Sequence, residues 1–215
     1  MKGAHDVGRE HDLLARLAPG FALAPRPLLR CDDPAILGAP FDVLERISGV
    51  ILRRRPPPGL ELDARVAAGL ADAFVAALTS LHAVDLGALG LGDLGRPEGY
   101  VARQVGGWAG RYRAACADEV PAIERVIEWL ERHVPRSPPP TLIHNDFKYD
   151  NLVFDPEDLT RVIGILDWEM ATQGDPLMDL GTALAYWTQA DDPPELQALA
   201  FGPTAIPGSP TRQEL

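Results

Sequence analysis

The sequence predicts an α+β fold with a small N-terminal part and a larger, mainly helical remainder. Three observations predict it. The proline triplet in RRRPPPG at 53–59 cannot sit inside a helix or a central strand, so it marks a connector and the best boundary between the two parts. Residues 63–84, DARVAAGLADAFVAALTSLHAV, read as one long helix, filled with Ala, Leu and Val and buried on most sides. After SPPP at 137–140 come three strand-sized apolar runs, at 141–143, 151–154 and 161–166, with polar residues at their ends.

The other elements follow in order. Residues 6–18 place Val7, Leu13, Leu14 and Leu17 at helical spacing, and Pro19-Gly20 stops that helix. PLLRC at 27–31 reads as a strand, DDPAILGAP as a turn-rich stretch, and FDVLERI at 41–47 as a second strand. The glycine-rich 87–99 is a loop. Residues 100–117 and 121–133 are two helices, the second with Pro121 at its start. PLMDLGTALAYWT at 176–188 is helical, and the chain from Asp191 onward is rich in Pro and Gly with little regular structure.

Of 215 residues, 31 are acidic and 20 basic, a net charge of −11. That disfavours a nucleic-acid surface, which is held mainly by Lys and Arg, and mildly suits a cationic substrate. Cys31 and Cys116 have no metal-ligand spacing and read as free thiols of a cytoplasmic protein. No uninterrupted apolar run approaches the ~18 residues that span a bilayer, and MKGAHDVGREHD is too charged for a secretory signal. No membrane or nucleic-acid partner is therefore expected, and nothing in the sequence speaks to oligomeric state.

The chemistry concentrates in 141–179, TLIHNDFKYDNLVFDPEDLTRVIGILDWEMATQGDPLMD. Phosphoryl transfer needs a carboxylate that takes the proton of the attacking hydroxyl, and oxygen ligands for Mg²⁺ beside the phosphates. A loop with Asp146, then Asn151, then Asp167 at the end of a following strand supplies these in order. The turn DPEDLT would fold 161–166 back on 151–154 and return Asp167 to Asn151.

HNDFKYDN resembles the catalytic loop of protein kinases, and more closely that of the aminoglycoside phosphotransferase and choline kinase superfamily. LDWE at 166–169 resembles that superfamily's counterpart of the kinase DFG motif, and GDPLMDLG at 174–181 its following helix start. AHDVGREHDLLARL, LGAPFDVLERISG, LHAVD and GLGDLGRPEGY are similar to a subgroup found alone or fused to acyl-CoA dehydrogenases. The resemblance implies a protein-kinase-like two-lobed fold, with residues 1–52 a partial N-lobe and 53–215 a mainly helical C-lobe. It implies transfer of the γ-phosphate of ATP or GTP, with Mg²⁺, to a hydroxyl of a small molecule. Asp146 would be the base, Lys148 would touch the transferred phosphate, and Asn151 and Asp167 would hold Mg²⁺. Glu10 would match the helix glutamate that pairs with a nucleotide-binding lysine, and Glu45, Arg46 and Ile47 would meet the adenine ring. A hydroxyacyl-CoA acceptor follows from the subgroup; an aminoglycoside would suit the charge.

The pattern departs from the family in one respect. Lys2 and Lys148 are the only lysines, Lys2 has no strand behind it, and the phosphate-covering hairpin is missing. The chain reads as a member trimmed at both ends, and the rival reading is a pseudokinase-like binding module. A metal-dependent phosphohydrolase is a weaker third. Several polar residues have plainer readings. His144 orients the loop, Asp179 bonds the loop backbone, and Glu169 and Asp175 are turn or cap residues. His11, His82, Trp168, Tyr186 and Trp187 read as packing residues.

Overall fold

The computed structural model describes residues 7–118 and 120–215, so Lys2 lies outside the described residues. Helix α1, Val7–Leu17, buries Leu13, Leu14 and Leu17 of the predicted stripe, while Val7 at its start is half-buried. Strands β1, Pro27–Cys31, and β2, Phe41–Leu44, pair antiparallel with a bulge between Pro27 and Leu29. Between them α2, Pro34–Leu37, forms where only a turn was expected. Its signals are local: Asp33 accepts from Ala35 N at 2.9 Å, Pro34 sits at the first turn, and Gly38 closes it at φ 86°.

β2 ends at Leu44, three residues short of the expected strand. Glu45 N still donates to Arg26 O, but the chain then leaves the hairpin and joins the other sheet, where Val50 and Phe154 exchange backbone bonds of 2.8 Å each way. Helix α3, Ala64–His82, is capped by Asp63, whose carboxylate accepts from Val66 N at 2.8 Å. By length and composition alone α3, at 19 residues and mean hydropathy 1.4, is long and apolar enough to cross a bilayer, although Arg65 and Asp72 interrupt its apolar run. Its Leu70, Phe74, Leu78 and Leu81 are buried in the core of this fold.

Helices α4, Tyr100–Ala115, and α5, Pro121–Arg132, pack on each other. Strand β3, Thr141–Ile143, pairs with β6, Thr172–Gly174, which the sequence reading missed; β4, Leu152–Phe154, pairs with β5, Val162–Ile165. Both pairs are antiparallel, and α6, Pro176–Tyr186, follows β6, capped by Asp175 through Leu177 N at 2.9 Å. A last short helix, α7, Pro194–Gln197, lies in the stretch expected to be irregular. Phe74 of α3 is the hub beneath the functional loop. Its ring centroid lies 4.7 Å from Phe147, 5.1 Å from Tyr149 and 5.3 Å from Trp187, so α3, the loop and the end of α6 share one aromatic cluster. Cys31 and Cys116 are free thiols.

Candidate active site

The loop between β3 and β4 is held from below by two buried polar side chains. Asp179 of α6 has no exposed surface; its Oδ2 accepts from His144 N at 2.9 Å and its Oδ1 from Asn145 N at 2.7 Å. This is the backbone-holding role the sequence assigned it. His82 Nε2 also lies 3.0 Å from Asp179 Oδ2, so His82 is a polar partner rather than mere packing. His144 is fully buried, and burial holds its pKa below the ordinary value, so the ring is neutral. Asp146 N donates to its Nδ1 at 3.3 Å, which assigns the ring proton to Nε2 for donation to Leu166 O at 3.0 Å. Asn145 adopts φ 65°, a conformation Asn tolerates, while its side chain accepts from Tyr100 OH and donates to Met170 O, each at 2.9 Å.

On this support the structure assembles Asp146, Lys148 and Asn151. Lys148 Nζ donates to Asp146 Oδ2 at 2.6 Å, and both side chains are largely buried. Asn151 Nδ2 donates to Asp146 O and Oδ2, each at 2.9 Å. Asp146 Oδ1 accepts from the Tyr186 hydroxyl at 2.8 Å. Leu166 N donates to Asn151 O at 2.8 Å, so the β4–β5 pairing brings Asp167 back beside Asn151. Asp167 turns the chain at φ 66°. Burial first, then the charges of Asp146 and Glu169, hold its carboxyl above the ordinary range.

Mg²⁺ fits this donor set. Asn151 Oδ1 has no protein partner among the described residues, and with the Asp167 carboxylate it offers two hard oxygens. Two protein oxygens plus water and phosphate match the habit of Mg²⁺ better than a closed cage. Among the described residues no group of three or more His, Cys, Asp and Glu could hold a metal on its own.

Glu10 of α1 reaches the turn that carries Asp167. Its Oε1 accepts from Trp168 N at 3.2 Å. Burial raises its pKa, the Trp168 bond opposes that, and Asp167, Glu169 and Asp42 add to the rise. Trp168 itself is buried and donates Nε1–H to Ile165 O at 2.7 Å, so the Glu10 bond to its backbone N ties α1 to the turn after β5. Of the three residues assigned to the adenine ring, Ile47 lies against Gly164 of β5, so closely that a Cβ at Gly164 would collide with it. Glu45 is paired with Arg26 at 2.9 Å and Arg46 is exposed; neither bonds the Asp146 cluster. His11 lies 3.4 Å from Asp42 and is likewise more than packing.

The model of the phosphotransferase enzyme family matches residues 2–215. The chain belongs to that family. Mouse acyl-CoA dehydrogenase family member 10 is 39% identical over 194 residues, covering 90% of this chain and 18% of the mouse protein. The chain therefore spans less than a fifth of that relative. A crystal structure assigned to the aminoglycoside phosphotransferases, from Ralstonia eutropha, matches with TM-score 0.78 at 29% identity, over 96% of this chain and 62% of that one. A thermostable mutant of aminoglycoside phosphotransferase APH(4)-Ia, in ternary complex with ADP and hygromycin B, shares the fold at TM-score 0.59 and 18% identity, over 83% of this chain and 60% of that one.

Within this phosphotransferase-family chain, sequence reasoning missed two parts of the site. The first is Tyr186, read as core. It stands seven positions after Asp179 on α6, hence on the same helix face as the residue that holds the loop, and that spacing could have found it. The second is a cleft of about 630 Å³ beside Tyr186, lined by Arg96, Arg103, Trp108, Arg111, Met170 and Tyr186. The Arg111 guanidinium stacks 3.9 Å above the Trp108 ring, and Arg103 donates to the carbonyls of Glu98 and Arg96. Tyr100, Arg103, Trp108 and Arg111 fall on one stripe of α4, a helix with three arginines and no acidic residue.

Proposed function

We propose that this chain transfers the γ-phosphate of ATP or GTP to a hydroxyl of a small molecule, with Asp146 as the base. The observation that carries the reading is the convergence on Asp146. Lys148, Asn151 and Tyr186 hold its carboxylate, Tyr186 standing between it and the open cleft, and Asn151 and Asp167 stand together beside it. The acceptor O–H would give its proton to Asp146 as its oxygen bonds the γ-phosphorus, and the bond to the bridging oxygen would break toward the nucleoside diphosphate. Lys148 would steady the base and lend positive charge to the transferred group. Mg²⁺, held by Asn151 and Asp167 when bound, would neutralise phosphate charge. In this reading residues 1–52 are the partial N-lobe and 53–215 the C-lobe, with Ile47 and its neighbours on the adenine side. Arg103 and Arg111, the α4 arginines that line the cleft, favour an acceptor with an anionic group over a polycationic aminoglycoside.

A binding module without turnover is the second reading. It is favoured by the clustered carboxylates of Glu10, Asp42, Asp167 and Glu169, with Lys148 the only lysine among the described residues. The two separate in one assay: Mg·ATP with a panel of hydroxylated small molecules, followed by nucleoside diphosphate release. Acceptor-dependent release that Asp146→Asn lowers by roughly 10²–10⁴ in kcat, with nucleotide affinity little changed, supports the transferase. Full turnover in Asp146→Asn would show that another group takes the proton, and nucleotide binding without release across the panel would favour the binding module.

A further inference from the structure

A carboxylate offers about four lone-pair directions, two on each oxygen. On Asp146, Oδ2 takes two donors, Lys148 Nζ and Asn151 Nδ2, and Oδ1 takes one, the Tyr186 hydroxyl at 2.8 Å. Oδ1 is therefore the oxygen with room for an incoming O–H, and a phenol already stands on it. The Tyr186 ring is held without help from that hydroxyl. It meets Phe201 edge-on at 4.9 Å between centroids, and Lys148 Nζ lies 5.1 Å over its face. Burial, then the bond to Asp146, pushes the phenol pKa up to about 12, so it remains a donor at neutral pH. Tyr186 also borders two spaces: the arginine-lined cleft, and a small pocket formed with Phe74, Tyr149, Trp187 and Phe201. Solvent in the cleft is thus one side chain away from the base.

We propose that Tyr186 is a positioning residue whose hydroxyl keeps the acceptor's place on Asp146 and denies that place to water. The inference rests on the phosphotransferase reading. A water on Oδ1 would lose a proton to Asp146 while its oxygen bonded the γ-phosphorus. The bond to the bridging oxygen would break, the nucleoside diphosphate would leave with the electron pair, and the net reaction would be hydrolysis. Water has nothing but this one site with which to compete against the phenol. An alcohol bound along the cleft has the rest of its surface to hold it, and can displace the hydroxyl.

The test is Tyr186→Phe, which removes one oxygen and retains the ring that packs on Phe201. With Mg·ATP and no alcohol present, inorganic phosphate release rises roughly tenfold, the equilibrium weight of one net hydrogen bond. KM for Mg·ATP is unchanged, and adding Asp146→Asn removes the gain. A merely structural tyrosine would lower Tm and rate together. The inference is overturned if Tyr186→Phe hydrolyses no faster than the parent chain while calorimetry shows Mg·ATP bound; the phosphotransferase reading then survives. It is overturned equally if the gain persists without the Asp146 carboxylate. If Mg·ATP binds to neither protein, both the inference and the reading beneath it fall.

Discussion

Asp179→Asn should cost this chain about 3 kcal/mol of stability, a figure that follows from how its two oxygens are used. Oδ1 accepts from Asn145 N and Oδ2 from His144 N, with His82 Nε2 also on Oδ2, and the group has no exposed surface. An asparagine presents one oxygen and one NH₂. Whichever way it is turned, the NH₂ faces a backbone N–H, donor against donor. One charge-assisted bond, worth ~1.5–3 kcal/mol, is lost, and a buried N–H is left without an acceptor, at ~1–3 kcal/mol. The two overlap, so about 3 kcal/mol is the reasonable sum. For a chain of this size that corresponds to roughly 6–12 °C in Tm. Thermal melting followed by circular dichroism, with denaturant titration of the same pair, measures it. A loss under about 1 kcal/mol would mean that the loop is held by the Phe147 cluster and that Asp179 is incidental.

Two further outcomes concern pH and charge. His144 is buried with its pKa below the unfolded value, so the unfolded chain binds the extra proton; its contribution is full above about pH 6.5 and is lost as pH falls, by at most ~1.4 kcal/mol per unit. A melting series from pH 8 to 5 with no decline in this window, relative to His144→Gln, would contradict that. The Glu10 carboxyl lies above its ordinary range, so its charge disfavours the folded state at neutral pH. Glu10→Gln keeps an oxygen for Trp168 N and should raise Tm at neutral pH but not at acid pH, where both side chains are uncharged; a lower Tm at pH 7 would refute the argument.

The loop proposed as catalytic was legible because its polar residues are contiguous: Asp146, Lys148 and Asn151 lie within six residues, and a short apolar strand pair returns Asp167 to them. The helices were legible for a similar reason, since Leu13, Leu14 and Leu17, or Leu70, Phe74, Leu78 and Leu81, repeat a local period. Strand β6 was not. Thr172–Gly174 has no alternating pattern, and it is a strand only because β3 lies beside it. The His82–Asp179 contact joins residues 97 positions apart, and no local rule reaches that far. Helix α2 is a different kind of miss, since Asp33, Pro34 and Gly38 spelled out its start and stop; a four-residue helix simply carries too few periodic positions to separate it from a turn.

The cleft lining weighs against the cationic acceptor that the whole-chain charge suits, for a physical reason. A net charge of −11 sums over the whole chain, and it pointed toward a cationic substrate. Screening confines an exposed charge to about 8 Å at physiological salt, so a ligand in the cleft responds to what lines it and not to the total. What lines it is Arg9, Arg96, Arg103 and Arg111, with Glu169 the one acidic residue. The acidic excess lies elsewhere, part of it around Asp167, where Mg²⁺ would turn it to use. The charges are thus divided in space: carboxylates around Asp167, and the guanidinium groups of Arg103 and Arg111 along the α4 side of the cleft. Part of that division was written in α4, sixteen residues with no carboxylate, and it bears on the proposed acceptor only because the fold sets Arg103 and Arg111 in the cleft beside Tyr186, while Arg113 pairs with Glu124 at 2.7 Å.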